Sequence, residues 1–497
     1  MSNIRVTYSG LIGLVIGLCT VVTGIIFILI VTRSLTAEQL GNWGLIGGLI
    51  SYVIIIEPMI SYWSTREIAR DIESGKTAIF SSSMFSIIAI IAFLVIAYFV
   101  GDPTGADTNI LYFAALMIPF SFLNRTLSAI ALAWKPHVKS LGTLIFDIAK
   151  IPAAIIFVYF MELGVYGAIL SLIVAYIPSI VILGIILRKK LQNSFDISYL
   201  KNWVKRGWLP TYNKLPNLVI LDVLIFSLIT GSVSGIAYWI AATAIGTIVR
   251  HSSPLTKSVY PKLLSGGKKE HLQTNLMRYF YFAFPFIAIS ITFAKPGLFI
   301  LNPIYDVAVL VVVFISLRTF VRNVGASFTQ ALEGIEEVDV KQSTTKEYLK
   351  SKLFYLPTIR LIRRAVYLIS LVIGLYILIQ QNVSEINLVI YWSLVVFIVE
   401  IPFTMYYYFL VRKDFTLSLS KTTILKYLIV NIIVFTGIYF LMEEFLVYDE
   451  SIFVFLPHVF PFILLSVLSY FGLTYLVDKK TRILFKSILS EIKKLKK

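Results

Sequence analysis

Apolar runs long enough to cross a bilayer, roughly 20 residues each, alternate with short polar links along the whole chain. Fourteen such stretches read as spans: 8–31, 42–63, 78–100, 110–133, 141–161, 164–187, 209–230, 234–254, 276–294, 303–331, 361–380, 388–411, 422–442 and 453–477. No stretch has the period-2 alternation of a barrel strand. The first run lacks a small-residue cleavage site after a short apolar core, so it reads as a span and not as a signal peptide. The pattern predicts an all-α polytopic membrane protein with about 14 transmembrane helices.

Composition agrees with the pattern. The chain has 497 residues, of which 58% are hydrophobic and 14% charged, and its mean hydropathy is +0.85. A soluble chain carries roughly 25% charged residues. The single cysteine, Cys19, excludes an intrachain disulfide and a cysteine metal site. A net charge of +17 points to nucleic acid in a soluble protein, but here the charges sit in alternate links. One set of links carries Arg66, Arg70, Lys76, Lys135, Lys139, the Arg188–Lys190 run, Lys257, Lys262, Arg412, Lys413 and the basic tail. The other set has only Arg33 and Lys295, with acids such as Asp102, Glu162, Glu385 and Asp449. Basic links face the cytoplasm. With an even number of spans, both termini are expected there, in a multi-pass protein of the cell membrane. The positive charge then sets topology and attracts anionic lipid heads; nucleic acid is not an expected partner.

The links facing outward are short, and Gly231-Ser232-Val233-Ser234 is one complete loop. The long links, 188–208, 255–275 and 332–360, are cytoplasmic by the same rule. The last of them reads either as an interfacial amphipathic helix or as a linker. The segment from Phe27 to Trp43 resembles that from Ile225 to Trp239: each is a helix, a Ser-containing turn and a second helix opening near a Trp. The similarity suggests two six-span halves, one of the repeat plans of secondary transporters. The expected organisation is an N-terminal lobe over 1–207, a C-terminal lobe over 208–415 that includes 332–360, and two further spans with a basic tail over 416–497.

Ionisable side chains inside a bilayer are costly and face a partner or a cavity. The candidates are Glu57, Arg125, Asp147, Lys150, Lys214, Asp222, Arg318, Arg322 and Glu400. Arg125 and Lys150 lie at similar depth on antiparallel spans, and Asp147 shares a face with Lys150, so the three can meet. Arg318 and Arg322 share one face of the tenth span with no acid beside them on their own helix. One reading is a cationic cavity that receives an anionic group such as a diphosphate; the other is helix-to-helix attachment, with Asp147 and Lys150 as a plain ion pair. Asp222 either carries a proton or ion, or pairs with Lys214. Asp147, Asp222 and Glu400 are the candidates for ion or proton coupling. Glu57-Pro58 and Glu400-Ile401-Pro402 set an acid beside a helix breaker. No HExxH, P-loop, GxSxG or GxGxxG pattern occurs. No catalytic residue, metal or cofactor is expected, and transport without an ATPase domain is secondary or passive.

Three stretches carry a resemblance. They are Thr32-Arg33-Ser-Leu-Thr-Ala-Glu-Gln-Leu-Gly41-Asn-Trp-Gly44, Ser64-Thr-Arg66-Glu-Ile-Ala69-Arg70, and the segment from Pro210 through Asp222, Gly231 and Tyr238 to Tyr260-Pro261. Gln330-Ala-Leu-Glu-Gly334 adds to them. Together they resemble the multidrug/oligosaccharidyl-lipid/polysaccharide (MOP) flippases, in particular the polysaccharide-transporter branch. That resemblance implies a 12-helix core of two lobes with two extra C-terminal helices. It further implies alternating-access translocation of a polyprenyl-linked oligosaccharide. It places basic residues around a central cavity, and the positions to consider here are Arg33, Glu57, Lys214, Asp222 and Arg250. Arg33 reads equally as a structural cap. The middle of the first span has no Arg, which departs from the peptidoglycan-precursor branch. The partners expected are a lipid-linked oligosaccharide, membrane lipids and glycan-assembly membrane proteins. Two other readings are a cation-coupled drug exporter of the same superfamily and a membrane glycan polymerase or glycosyltransferase.

Overall fold

The computed structural model describes residues 6–69, 72–192, 194–207, 212, 221–252, 270–336, 345–417, 419–479 and 481–483. Among them there are helices and no strands. Each of the fourteen apolar stretches carries helix. The first part of the chain forms α1 (Val6–Ser34), α2 (Ala37–Val53), α3 (Pro58–Ala69), α4 (Gly75–Thr104), α5 (Thr108–Ala114), α6 (Met117–Trp134), α7 (Pro136–Ala154), α8 (Gly164–Leu187) and α9 (Ile197–Arg206). Then come α10 (Leu221–Thr230), α11 (Ser234–Gly246), α12 (Glu270–Thr292), α13 (Ala294–Leu301), α14 (Val309–Gly334) and α15 (Thr345–Lys350). The last four are α16 (Lys352–Gln380), α17 (Glu385–Asp414), α18 (Lys421–Phe445) and α19 (Ile452–Val477). Among the described residues, ten helical segments are long and apolar enough to cross a membrane by themselves. The pair α12 and α13, bent by 62°, brings the number to 11. Large apolar side chains lie on the outside of α4, α16, α18 and α19, with Phe453 89% exposed. A surface of that kind is stable against lipid and not against water.

Two compact units divide the chain: Met1–Tyr238 with Leu368–Glu385, and Trp239–Tyr367 with Ile386–Lys497. In the first unit α7 packs on α1 and α8, α6 packs on α3, α4 and α8, and α10 packs on α2 and α4. The turn into α2 is a capping box: Gln39 N–H donates to Thr36 Oγ1 and Thr36 N–H to Gln39 Oε1, both at 3.2 Å. In the second unit α12 packs on α14 and α18, and α18 on α19. Tyr281, Tyr427, Phe455 and Tyr470 fill the space between these helices.

The link Gly231–Val233 is as tight as the sequence predicts, joining Thr230 of α10 to Ser234 of α11. Ser232 Oγ and the Gly235 N–H both donate to Glu385 Oε1, each at 2.7 Å. Gly231 takes a φ of +64°, where glycine has no steric cost. Gly41 on α2 lies against this link, and a Cβ there would sit 1.9 Å from the carbonyl oxygen of Val233. Gly41→Ala therefore separates two backbones and lowers stability by ~2 kcal/mol. Gly47→Ala, where nothing lies within 4 Å, removes a helical glycine and is neutral or stabilising. Thermal unfolding of the two variants in detergent checks the contrast.

Candidate functional site

The second unit gathers charge at mid-helix. Arg318 and Arg322 stand one turn apart on α14, and Glu400 lies on α17. Arg363 and Arg364 lie on α16, which begins at Lys352, nine residues before the start that the apolar run suggests. Arg363 pairs with Glu400, and Arg360, one turn nearer the start of α16, pairs with Glu333 of α14. Arg322 feels the charges of Arg318, Glu400, Arg363 and Arg364 together. Arg322, Arg363, Arg364 and Glu400 each stand more than ten residues from either end of their helices, which is about 15 Å or more along the axis. The expectation concerns an acid on the arginines' own helix only, and the structure adds what other helices bring. An acid comes from a different helix, α17, and two further arginines come from α16.

Helix packing explains the meeting. Gly325 lies one turn beyond Arg322, and Thr404 one turn beyond Glu400. A Cβ on Gly325 would sit 2.8 Å from Thr404 Oγ1, and Thr404 Oγ1 donates to the Val321 carbonyl at 3.4 Å. The bare Gly325 surface lets α17 close on α14 in this register. α17 runs unbroken through Pro402, so the breaker expected beside Glu400 does not end the helix. Among the described residues, Arg322 and the three arginines that act on it outnumber the carboxylate of Glu400. The buried Tyr407 faces Arg360, Arg363, Glu333 and Glu400, and its hydroxyl has no hydrogen-bond partner among the described residues. A cluster of this charge in a low-dielectric setting suits a multivalent anion, because guanidinium groups bind phosphate oxygens in pairs.

The first unit holds the other candidates except Arg250, which belongs to the second. Lys150 Nζ donates to Asp147 Oδ1 at 2.5 Å, and its ammonium lies 5.6 Å from the ring centroids of both Phe27 and Phe146. Arg125 does not join them: it is exposed, and its Nε donates to Ser121 Oγ on its own helix at 3.4 Å. Of the expected triad, the structure brings together only Asp147 and Lys150. Glu57 is buried in the break between α2 and α3 and accepts from Ser61 Oγ at 3.2 Å. Asp222 is buried in the first turn of α10 and accepts from the Val223 N–H at 3.2 Å. Lys214 lies outside the described residues. Arg33 is in the last turn of α1, and Arg250 is exposed in the 3₁₀ turn Thr247–Ser252 after α11.

Solved transporters share this architecture. A structure described as the lipid II flippase MurJ in an inward closed conformation superposes with a TM-score of 0.65. That alignment covers 94% of this chain and 99% of the other at 14% identity. An inward-facing multidrug resistance transporter of the MATE family, in the MOP superfamily, superposes at 0.57 over 79% of this chain and 95% of the other, at 15% identity. The chain therefore has the fold of the MOP-superfamily transporters. No protein-family model and no curated protein sequence matches it.

Proposed function

We propose that this protein is a flippase. It carries a lipid-linked oligosaccharide, on a polyprenyl phosphate or diphosphate, across the cell membrane by alternating access, for polysaccharide or glycan biosynthesis. The observation that carries the reading is the arginine cluster of α14 and α16, at mid-helix around the carboxylate of Glu400. A cationic drug would be repelled from a net positive cluster, whereas a diphosphate is attracted to it. The fold of a lipid II flippase supports a lipid-borne substrate. The proposal includes both termini in the cytoplasm, lobes over 1–207 and 208–415, and a lateral opening for the lipid tail. Arg33, Arg125, Lys150, Lys214 and Arg250 are proposed as further cations along the path.

A second reading, a cation-coupled drug exporter, has its own support. The MATE transporters share the fold, and Glu57, Asp147 and Asp222 are buried acids in the first unit. Proteoliposomes holding a fluorescent polyprenyl-diphosphate oligosaccharide separate the two. Transfer between leaflets faster than in empty vesicles is expected. No acceleration under any sodium or proton gradient, with folded protein, sinks the flippase and favours the exporter.

A further inference from the structure

We infer that the paired indoles of Trp239 and Trp392 form a sugar-stacking platform, which reads the glycan of the substrate while the arginine cluster reads its phosphates. This assignment rests on the flippase reading. Trp239 lies on α11 and Trp392 on α17, and their rings are parallel, with centroids 4.0 Å apart and planes inclined by 1°. Trp392 is fully buried and fixed: its Nε1 donates to Tyr367 Oη at 2.6 Å. Trp239 is half-buried, and among the described residues Trp392 is its one ring partner. One face of Trp239 therefore rests on a buried backing ring, and among the described residues no aromatic ring covers the other.

An indole face is electron-rich and apolar. The axial C–H bonds of a pyranose are weakly positive and apolar, so the two surfaces stack while the sugar hydroxyls stay in contact with water. A tryptophan placed only to anchor the membrane interface has no need of a buried, hydrogen-bonded partner beneath it. The hydrogen bond at the Nε1 edge of Trp392 links the platform to the cluster. The Arg364 guanidinium lies 4.9 Å above the Tyr367 ring that holds Trp392, and Arg364 belongs to the cluster around Glu400. An aromatic face and a polycation are thus coupled through one tyrosine, matching the two polar parts of a glycosyl diphosphate.

The test compares two soluble probes in detergent: farnesyl diphosphate carrying a disaccharide, and bare farnesyl diphosphate. Trp239→Ala is expected to bind the glycosylated probe ~10-fold more weakly and the bare probe as the wild type does. Trp239→Phe is expected to recover most of the loss. If Trp239→Ala does not fold, Trp239→Leu, which is apolar but has no π face, must show the same selective loss. Equal loss for both probes, or no loss in a folded variant, overturns the platform and leaves the flippase standing. A wild-type protein that binds neither probe overturns the flippase reading, and the platform with it.

Discussion

Replacing Arg318 and Arg322 together by alanine is expected to lower transfer of a lipid-linked oligosaccharide while the protein stays folded. Each guanidinium hydrogen-bonded to a phosphate contributes roughly 1.5–3 kcal/mol, so losing two corresponds to about 10²- to 10⁴-fold. Stability moves the other way. Arg322 shares its surroundings with Arg318, Arg363 and Arg364, and among the described residues Glu400 is the acid that acts on it. Like charges at close range in a medium of low dielectric repel. Removing two of four cations relieves that repulsion, so the unfolding temperature in detergent holds or rises. If these arginines serve to attach helices, the unfolding temperature falls along with transfer. Leaflet transfer and thermal unfolding measured on the same preparation separate the two. A fully active double variant shows that α14 does not line the path.

The helices were legible in the sequence because lipid imposes a one-dimensional rule: a span needs a long apolar run, and its backbone bonds close within the segment. The Gly231–Val233 link was legible for the same reason, since the apolar runs on both sides leave it no further residues. What was hidden is register between helices. Arg363 and Arg364 fall at the edge of an apolar run, where a hydropathy window reads them as end-of-helix charges that snorkel to the interface. The structure starts α16 at Lys352 instead, and the charges move inward. The spacing Arg360, Arg363 and Arg364 places all three on one helical face, and that was the signal available. Glu400 stood out as a membrane acid, but its partner Arg363 lies on another helix, α16, and its approach to the arginines of α14 is set by Gly325 meeting Thr404. Arg125 failed in the opposite sense. Equal depth on neighbouring helices put it beside Asp147, yet its side chain turns to Ser121, because depth does not specify which way a helix faces.

Glu400→Gln is expected to destabilise the protein and to make it more responsive to an added anion. The carboxylate is 6% exposed, and it pairs with Arg363 within a cluster of four arginines. Glutamine keeps the shape but takes the Glu400 counter-charge away from these cations. Breaking one partner of a buried pair costs about 3–5 kcal/mol, read as a lower unfolding temperature. Saturating farnesyl diphosphate should then restore part of the loss, since a ligand at 100 times its Kd adds about 2.7 kcal/mol. In the wild type the same ligand competes with Glu400 for Arg363, so its stabilising effect is smaller. In the variant that competition is gone, and the diphosphate replaces the lost carboxylate. Thermal unfolding with and without the ligand measures both effects. An equal ligand gain in the two proteins means that the anion binds elsewhere and that Glu400 is only a tie between α16 and α17. A larger gain in Glu400→Gln means that the carboxylate holds the arginines in the absence of substrate and yields them when a diphosphate arrives. An exchange of this kind lets a strongly positive site exist inside a bilayer before its ligand enters.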